Sequence, residues 1–292
     1  MMMLTEGGNI WPETTDYDQT VEIIDGLVGA TEDLIKDTGL QLFVIGSSAN
    51  PTQNVYIGDQ LIGIFRERQK KFIPLDKFKD TYLPGQLPND VKLIPKKSGD
   101  LDVMVDGRQA SEYFQTNDSK TTRQALDTML EKIGVKTRKA GVTVHIMVPY
   151  QDKFYQVDVK VVDKAERVSK FHLHDIPPGS PYKGVNKQMM MNTLASSQGL
   201  LWSPDEGLYK RDAAGKKGEF ITDELDDIAK YLLGSGAGAA DLGSVESIMA
   251  AIPDDATRND VFAKAKASAS WQAATPDAGT NEWFVRIRNK LI

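Results

Sequence analysis

One stretch of the sequence alternates strictly between two kinds of side chain: Asp100-Leu101-Asp102-Val103-Met104-Val105-Asp106. Successive side chains of a β-strand point to opposite faces, so the alternation predicts a half-buried strand. The leucine and the two valines form its apolar face, and the three aspartates and the methionine form the other face. Asp100 and Asp102 therefore lie on the same face, about 7 Å apart along the strand.

A third candidate acid lies in a later pair of strands. The β-rich segments 142–148 and 154–162 flank a turn-prone segment, and this pattern predicts a β-hairpin. In its second strand, Gln156, Asp158 and Lys160 occupy one face while valines occupy the other. If this strand neighbours the acidic one, Asp158 joins the two earlier aspartates.

These three aspartates are of the kind that binds divalent metal ions in phosphoryl transfer. Carboxylate oxygens are hard ligands that suit Mg²⁺ or Mn²⁺, and such ions neutralise a nucleoside triphosphate and position the attacking and leaving oxygens. We therefore predict that Asp100, Asp102 and Asp158 are catalytic and hold two divalent ions, with a nucleoside triphosphate as substrate. An Asp-x-Asp pair alone usually just faces solvent, so the prediction depends on the third acid and on a phosphate-binding turn.

Two segments are candidates for that turn. An apolar run at 42–45 predicts a buried strand, and Gly46-Ser47 follows it with backbone N–H groups and a hydroxyl that can cradle phosphate oxygens. The alternative segment stands directly before the acids and combines two positive charges with a small-residue turn: Lys96, Lys97, Ser98 and Gly99. Both segments stay open, and for the two lysines a solvated loop is the structural alternative.

The order of these elements is similar to that of the DNA polymerase β-like nucleotidyltransferases. There, as here, a strand leads into a Gly-Ser turn, an Asp-x-Asp strand follows, and a later apolar strand carries the third acid. Two further segments resemble the nucleotidyltransferase-like proteins of tailed bacteriophages: Leu4-Thr5-Glu6-Gly7-Gly8-Asn9 and Ser180-Pro181-Tyr182-Lys183-Gly184-Val185-Asn186. The resemblance spans most of residues 1–250, and the acidic motif is its specific part.

The resemblance implies a fold and a role for each acid. The implied fold is α+β, with a nucleotidyltransferase palm of mixed sheet and flanking helices over residues 1–165 and a helical lobe over residues 166–292. By resemblance, Asp100 and Asp102 bind both metal ions and Asp158 activates the attacking hydroxyl. The implied reaction moves a nucleoside monophosphate to an acceptor and releases pyrophosphate.

The connection between the Gly-Ser turn and the first acid departs from the superfamily pattern. Family members have a much shorter connection, whereas here residues 48–99 intervene. We interpret residues 49–98 as an insertion beside the active-site cleft that restricts which acceptor enters. If Gly46 and Ser47 form the phosphate turn, the resemblance has Ser47 contact the triphosphate.

Helical periodicity and capping residues predict a helical second half, with helices at 186–197, 223–233, 244–252, 256–270 and 280–291. The Gly- and Pro-bearing loop that enters the first of these helices is a second candidate for holding the nucleotide. Its backbone N–H groups and the side chains of Tyr182, Lys183 and Lys187 are suited to an anion, with plain helix capping as the alternative.

The composition limits the partners of the chain. Its 292 residues include 35 lysines and arginines against 41 aspartates and glutamates, a formal net charge of -6. We therefore do not expect electrostatic binding of nucleic acid along the whole chain, and any polynucleotide contact has to be local. The absence of cysteine excludes disulfide-linked partners and cysteine nucleophiles.

The sequence also bears on location. The N-terminal segment lacks the basic start and apolar run of a signal peptide, and no apolar stretch approaches the ~20 residues that cross a bilayer. We expect no membrane association and a cytoplasmic location, which is the host cytoplasm, or the virion, if a phage encodes the chain.

The acceptor of the transferred nucleotide is not readable from these patterns. An RNA 3′ end such as that of tRNA, a protein side chain and a small molecule all stay open. A toxin-like or anti-defence enzyme that modifies host tRNA or protein shares the same chemistry. The alternative from another class is a catalytically inactive phage structural or virion-associated protein that retains the fold.

Overall fold

A computed structural model of the chain describes residues 10–141, 143–173, 177 and 180–274. The chain divides into two compact units, residues 1–173 and residues 174–292. Its class is α+β, with helices and several separate sheets. The quoted opening at 4–9 and the predicted helix at 280–291 lie outside the described residues.

The first unit is built mainly of short strands. Its strands are β1 (Tyr17–Asp18), β2 (Phe43–Val44), β3 (Thr52–Ile57), β4 (Gln60–Arg66), β5 (Lys71–Pro74), β6 (Lys92–Pro95), β7 (Lys97–Ser98), β8 (Asp100–Asp106), β9 (Thr137–Ala140), β10 (Thr143–Tyr150) and β11 (Lys153–Val162). Its helices are α1 (Val21–Ile35), α2 (Gly46–Ala49), α3 (Gly107–Phe114), α4 (Ser119–Lys132) and α5 (Ala165–His172), with short 3₁₀ turns at Lys36–Thr38 and Asp76–Phe78.

A mixed five-stranded sheet forms the centre of this unit, in the order β2-β8-β11-β10-β9. Strands β8 and β11 are parallel, with Asp102 opposite Asp158 and Asp100 opposite Gln156. Strands β10 and β11 form the predicted hairpin, in which His145 is opposite Asp158. Because residues directly opposite each other on neighbouring strands share a face, this register gathers the polar residues on one side of the sheet.

The other side of the sheet carries the main core. Leu101, Val103 and Val105 are fully buried, as their strict alternation predicts. They pack in one cluster with apolar residues of β10, β11 and three helices: Ile24, Leu27, Ala110, Leu126, Leu130, Val144, Ile146, Val157 and Val159. Removing one such leucine or isoleucine side chain costs about 2–5 kcal/mol, so this face fixes the position of β8 and β11.

Capping side chains define where the flanking helices begin. The Thr20 hydroxyl accepts a hydrogen bond from the Ile23 N–H, and the Asp118 carboxylate accepts bonds from two N–H groups in the first turn of α4. A cap of this type stabilises a helix by about 1 kcal/mol. At the start of α1, the Val21 N–H also donates to the Glu67 carboxylate at 3.2 Å, which ties the helix to the chain after β4.

The segment predicted as an insertion forms an antiparallel sheet of its own, in the order β5-β4-β3-β6. We call these four strands the insertion sheet. It has a separate small core around Val55, Ile62 and Phe72. The insertion sheet begins directly after α2 and ends directly before β7. Its first and last residues lie side by side, because Gln53 on β3 is paired with Pro95 on β6.

The helix α5 extends the first unit beyond the boundary expected at residue 165. Its Ala165 and Val168 are buried against Ile45, Met104 and Val162, on the same side of the sheet as the acids. The unit therefore ends after Leu173.

The second unit contains α6 (Gly184–Ser197), β12 (Leu200–Ser203), β13 (Gly207–Arg211), β14 (Lys217–Thr222), α7 (Leu225–Leu233), a 3₁₀ turn at Ala239–Leu242, α8 (Val245–Ala251), α9 (Asp255–Lys266) and α10 (Ala269–Ala274). Strands β12, β13 and β14 form an antiparallel sheet, which the expected helical lobe did not include. Most residues of β14 are exposed and carry no apolar alternation, so the sequence gives no local signal for this strand. The helix predicted at 256–270 is interrupted between α9 and α10.

Candidate active site

The polar face of the central sheet brings together the three predicted acids. Asp100 and Asp102 stand at alternate positions of β8, and Asp158 stands on β11 beside Asp102. Neighbouring strands are about 4.8 Å apart, so these two carboxylates start from adjacent positions. Asp158 is buried, whereas Asp100 and Asp102 are half-buried.

Two neighbours fix the orientation of the Asp158 carboxylate. His145 Nδ1 lies 2.6 Å from Asp158 Oδ1, and Gln156 Nε2 donates to the same oxygen at 2.9 Å. Gln156 is itself held, because its Oε1 accepts a hydrogen bond from the Ile10 N–H at 2.7 Å. In the part of the chain that the structure describes, both contacts to Asp158 end on Oδ1, so Oδ2 is the oxygen that can take a further ligand.

A lysine on the same face contacts the central acid. Lys160 Nζ lies 3.1 Å from Asp102 Oδ1, and both side chains are about one-third exposed, at 28% and 33%. An ion pair at this exposure contributes little stability, of the order of 1 kcal/mol or less. A divalent cation can therefore compete for Asp102 without a large cost in folding energy.

The charges of these groups act on Asp100. Burial raises the pKa of Asp100 to about 6, and repulsion from Asp102 and Asp158 adds to this rise, while Lys160 and His145 oppose it. The three carboxylates are thus close enough to repel one another in the absence of a counter-ion.

This raised pKa predicts a pH-dependent stability of the metal-free protein. Because the folded pKa is about 6 and the ordinary value 3.8, the folded state holds the proton more tightly than the unfolded chain. From about pH 4 to about pH 6, the contribution of Asp100 to the free energy of unfolding therefore falls as pH rises. We expect Asp100→Asn to melt above wild type at neutral pH in EDTA, with a difference that shrinks toward about pH 4. A difference that is the same at every pH contradicts this electrostatic account.

A closed metal-ligand set is not formed by the side chains as they stand. Within residues 10–141, 143–173, 177 and 180–274, no group of three or more histidines, aspartates or glutamates is arranged so that it could hold a metal ion. Lys160 contacts Asp102, and His145 contacts Asp158. The two-ion site accordingly stays a prediction.

The first phosphate-turn candidate lies against the acids despite its distance in sequence. The Ile45 N–H donates to the Asp102 carbonyl at 3.0 Å, and Gly46 follows with a φ of +66° at the start of α2. A Cβ atom at Gly46 would lie 3.4 Å from Asp102 Oδ2. Ser47 is exposed, and its Oγ accepts a hydrogen bond from Gln19 Nε2 at 2.6 Å.

The contact between Gly46 and Asp102 is testable with a matched pair of glycine substitutions. Gly39 has a φ of +65° and nothing within 4 Å of its Cβ position, so Gly39→Ala carries the same backbone strain without the contact. We expect each alanine variant to lose about 1 kcal/mol or more of unfolding free energy. Only Gly46→Ala should also weaken nucleotide binding, measured by titration calorimetry with Mg²⁺ present. Equal nucleotide affinities in the two variants would remove Gly46 from the site.

Residues of the second phosphate-turn candidate make contacts within the chain itself. Lys97 Nζ forms an ion pair with Asp18 at 2.8 Å, and this partner raises the pKa of Lys97. Ser98 Oγ donates to the Asp100 carbonyl at 2.9 Å, and Gly99 forms the bend between β7 and β8. Lys96 has an exposed side chain, although local desolvation lowers its pKa. Of the three side chains in this segment, that of Lys96 has no hydrogen bond or ion pair with the residues that the structure describes.

A buried tyrosine joins both candidate turns and was not predicted. The Tyr17 hydroxyl lies 2.9 Å from Ser48 Oγ in α2 and donates to the Asp100 carbonyl at 2.9 Å. Burial raises the pKa of Tyr17 to about 12, so the hydroxyl stays protonated. Tyr17 therefore connects α2 to the first residue of β8.

The remaining predicted residues belong to the second unit. Lys183 is the residue before α6, where its N–H donates to Asn186 Oδ1 at 2.7 Å. Tyr182 packs in an aromatic cluster with Phe262 and Trp271. Lys187 is only 2% exposed, and desolvation lowers its pKa to about 7. Their role in nucleotide binding stays a prediction.

Comparison with protein families and with curated proteins gave no match. The chain matches no protein-family model, and no curated protein matches it. The resemblance to the nucleotidyltransferase superfamily therefore depends on the residues quoted for it and on the geometry of the site.

Proposed function

We propose that the chain is a metal-dependent nucleotidyltransferase that moves a nucleoside monophosphate from a nucleoside triphosphate to an acceptor and releases pyrophosphate. One observation carries the proposal. Asp100, Asp102 and Asp158 share one face of two adjacent parallel strands, and the Gly46 turn lies against Asp102. The first unit has a mixed sheet with helices on its apolar side. This is the arrangement implied for a nucleotidyltransferase palm, and it supports the same proposal.

The donor chemistry of the site fits Mg²⁺ or Mn²⁺. Three carboxylates supply the hard oxygen ligands that these ions prefer. Burial is the main cause of the raised pKa of Asp100, and the repulsion from Asp102 and Asp158 that adds to it is what a divalent ion would offset. Two bound ions would neutralise the triphosphate and orient the attacking and leaving oxygens. Asp100 and Asp102 are the residues proposed to hold both ions, with Asp158 as the third ligand.

The residues around Asp158 suit it to the acceptor side of the reaction. With Oδ1 held by His145 and Gln156, Oδ2 is free to take the proton of the attacking hydroxyl. The acceptor oxygen then forms a bond to the α-phosphorus while the bond from that phosphorus to pyrophosphate breaks. His145 and Gln156 act as positioning residues, since they act on the substrate through Asp158.

Lys160 and the Gly46 turn are suited to contact the phosphate groups of the triphosphate. Lys160 contacts Asp102 and carries a positive charge on the polar face, where a bound triphosphate would draw it away from the carboxylate. Gly46 lacks a side chain where the chain passes closest to Asp102, so a phosphate group can approach the backbone there. Ser47 is the exposed hydroxyl of this turn and is proposed to contact the triphosphate.

The ion pair between Lys160 and Asp102 also gives weight to one alternative. A phage structural or virion-associated protein that kept the fold and lost catalysis would fill its acidic site with such internal partners. Within the described residues, no helix is long and apolar enough to span a bilayer. For both functions we propose a cytoplasmic or virion location.

Label transfer distinguishes these two functions. The protein is incubated with each α-³²P-labelled nucleoside triphosphate, with Mg²⁺ or Mn²⁺, and with extract of a bacterial host. The enzyme proposal expects metal-dependent label on RNA, on protein or on a small molecule, and the same reaction with Asp102→Asn serves as background. Absence of transfer from every triphosphate, together with absence of triphosphate binding, would favour the inactive alternative.

A further inference from the structure

The chain around the short strand β1 connects two parts of the site that the insertion separates in sequence. Strand β1 is paired with β7, with Tyr17 opposite Ser98, and the Gln19 N–H donates to the Lys96 carbonyl at 2.7 Å. The backbone of this segment is therefore fixed to the chain that enters β8. The side chains of Tyr17 and Gln19 instead reach the two serines of α2, which precedes the insertion.

Tyr17 holds the inner serine of α2. Its hydroxyl donates its single proton to the Asp100 carbonyl at 2.9 Å, so Ser48 Oγ is the donor in its 2.9 Å contact with Tyr17. Tyr17 and Ser48 are 3% and 2% exposed, and a hydrogen bond between buried groups is costly to break. This contact therefore fixes α2 beside the first residue of β8.

Gln19 holds the outer serine of α2, which is open to a ligand. Gln19 is 3% exposed, and its Nε2 donates to Ser47 Oγ at 2.6 Å, whereas Ser47 itself is exposed. The amide NH₂ group donates and does not accept, so the proton of the Ser47 hydroxyl is directed away from it. Among the residues that the structure describes, Gln19 is the one hydrogen-bond partner of Ser47 Oγ. The Ser47 hydroxyl can therefore donate to a phosphate oxygen.

The bond from Gln19 also removes freedom from the serine side chain. A serine has three χ1 rotamers and a hydroxyl that rotates, and both have to be ordered when a ligand binds. A donor that is fixed to the oxygen before the ligand arrives lowers that ordering cost, which is the gain from preorganisation. Ser47 follows Gly46, whose Cβ position would lie 3.4 Å from Asp102 Oδ2. The ordered hydroxyl therefore belongs to the residue next to this contact with the acids.

We propose that Gln19 is a positioning residue that holds the Ser47 hydroxyl as a hydrogen-bond donor to a phosphate oxygen of the triphosphate. The inference rests on the proposed function, since it needs a triphosphate at the Gly46 turn. Gln19 is buried, so it acts on the triphosphate through Ser47 rather than by direct contact. Its effect on binding must therefore disappear when the Ser47 hydroxyl is absent.

The test is a double-mutant cycle on magnesium-dependent binding of ATP, GTP, CTP or UTP, whichever the wild type binds most tightly, by titration calorimetry. The variants are Gln19→Met, which keeps nearly the same length without the donor, Ser47→Ala, and the combination of the two. We expect Ser47→Ala to weaken binding about tenfold and Gln19→Met about fivefold, because hydrogen bonds to a charged group are the stronger ones. In the Ser47→Ala background, Gln19→Met should cause no further loss.

A matched control separates this role from a loss of stability. Thr31→Val removes another buried hydrogen bond, the one from Thr31 Oγ1 to the Leu27 carbonyl at 2.7 Å in α1. Thermal melts should show a lower melting temperature for both Thr31→Val and Gln19→Met, and only Gln19→Met should bind the triphosphate more weakly. If Gln19→Met does not fold, Gln19→Asn takes its place, because its side chain is one methylene shorter and its amide no longer reaches Ser47.

Three outcomes overturn the role of Gln19 alone. These are unchanged triphosphate affinity in Gln19→Met, unchanged affinity in Ser47→Ala, and a loss from Gln19→Met that persists at the same size in the Ser47→Ala background. Absence of magnesium-dependent triphosphate binding by the wild-type protein overturns the proposed function as well, so the two failures are seen separately.

Discussion

Asp102→Asn should abolish nucleotide transfer while leaving the fold intact. The substitution keeps the shape of the side chain and removes a charge that two metal ions are proposed to share. Metal-assisted charge stabilisation contributes several kcal/mol, and each 1.36 kcal/mol is tenfold in rate, so we expect a loss of about a hundredfold or more. The melting temperature should change little, because the lost contact with Lys160 is partly exposed and the repulsion on Asp100 is relieved.

Asp106→Asn is the matched control, since Asp106 is on the same strand and undergoes the same chemical change. Its carboxylate caps α3 by accepting bonds from the Arg108 and Gln109 N–H groups, and it also accepts from the Ala165 N–H. Asparagine is also a good capping residue, so its one carbonyl oxygen keeps the cap of α3, and only the bond from the Ala165 N–H loses its acceptor. This variant should therefore keep its activity. If Asp102→Asn transfers nucleotide at the wild-type rate, the acids have no catalytic role and are ordinary surface charges.

Deleting the insertion sheet should separate nucleotide binding from transfer. Gln53 and Pro95 are paired across β3 and β6, so residues 54–94 can be replaced by an Asn-Gly turn that closes a two-stranded hairpin. The core around Phe72 is separate from the main core, so the deletion removes it without opening the main core. We expect magnesium-dependent triphosphate binding to persist and transfer to the acceptor to fall by about a hundredfold, a loss equivalent to about 3 kcal/mol.

The deletion also removes two contacts with α1. The Glu67 carboxylate no longer accepts from the Val21 N–H, and Arg68 no longer pairs with Asp25. Loss of the first contact should lower the unfolding free energy by about 1–2 kcal/mol, and Glu67→Ala in the full chain, which removes the acceptor, measures this part. Complete unfolding of the deletion variant, with a folded Glu67→Ala protein, would show that the insertion belongs to the core.

The central strands follow from the sequence because their patterns are local. Strict alternation predicts the strand at 100–106, and the structure confirms these bounds for β8. The hairpin predicted from 142–148 and 154–162 is confirmed as β10 and β11.

The partners of these strands do not follow from local patterns. Alternation gives the face that a residue occupies, but it does not say which strand lies beside it. The parallel register of β8 and β11 places Asp102 beside Asp158, and β10 on the other side adds His145. His145 was therefore missed, although its place in an alternating strand was readable. Tyr17 was missed because β1 has only two residues, too few to show a period.

Equilibrium binding of nucleoside triphosphates with and without Mg²⁺ or Mn²⁺ tests the central claim most directly, because it needs no knowledge of the acceptor. The measurement is titration calorimetry on wild type, Asp102→Asn and Asp106→Asn. The metal-site account predicts that wild type and Asp106→Asn bind a triphosphate only when a divalent ion is present, and that Asp102→Asn loses this binding. Triphosphate binding that is absent from wild type, independent of metal, or unchanged in Asp102→Asn would contradict it.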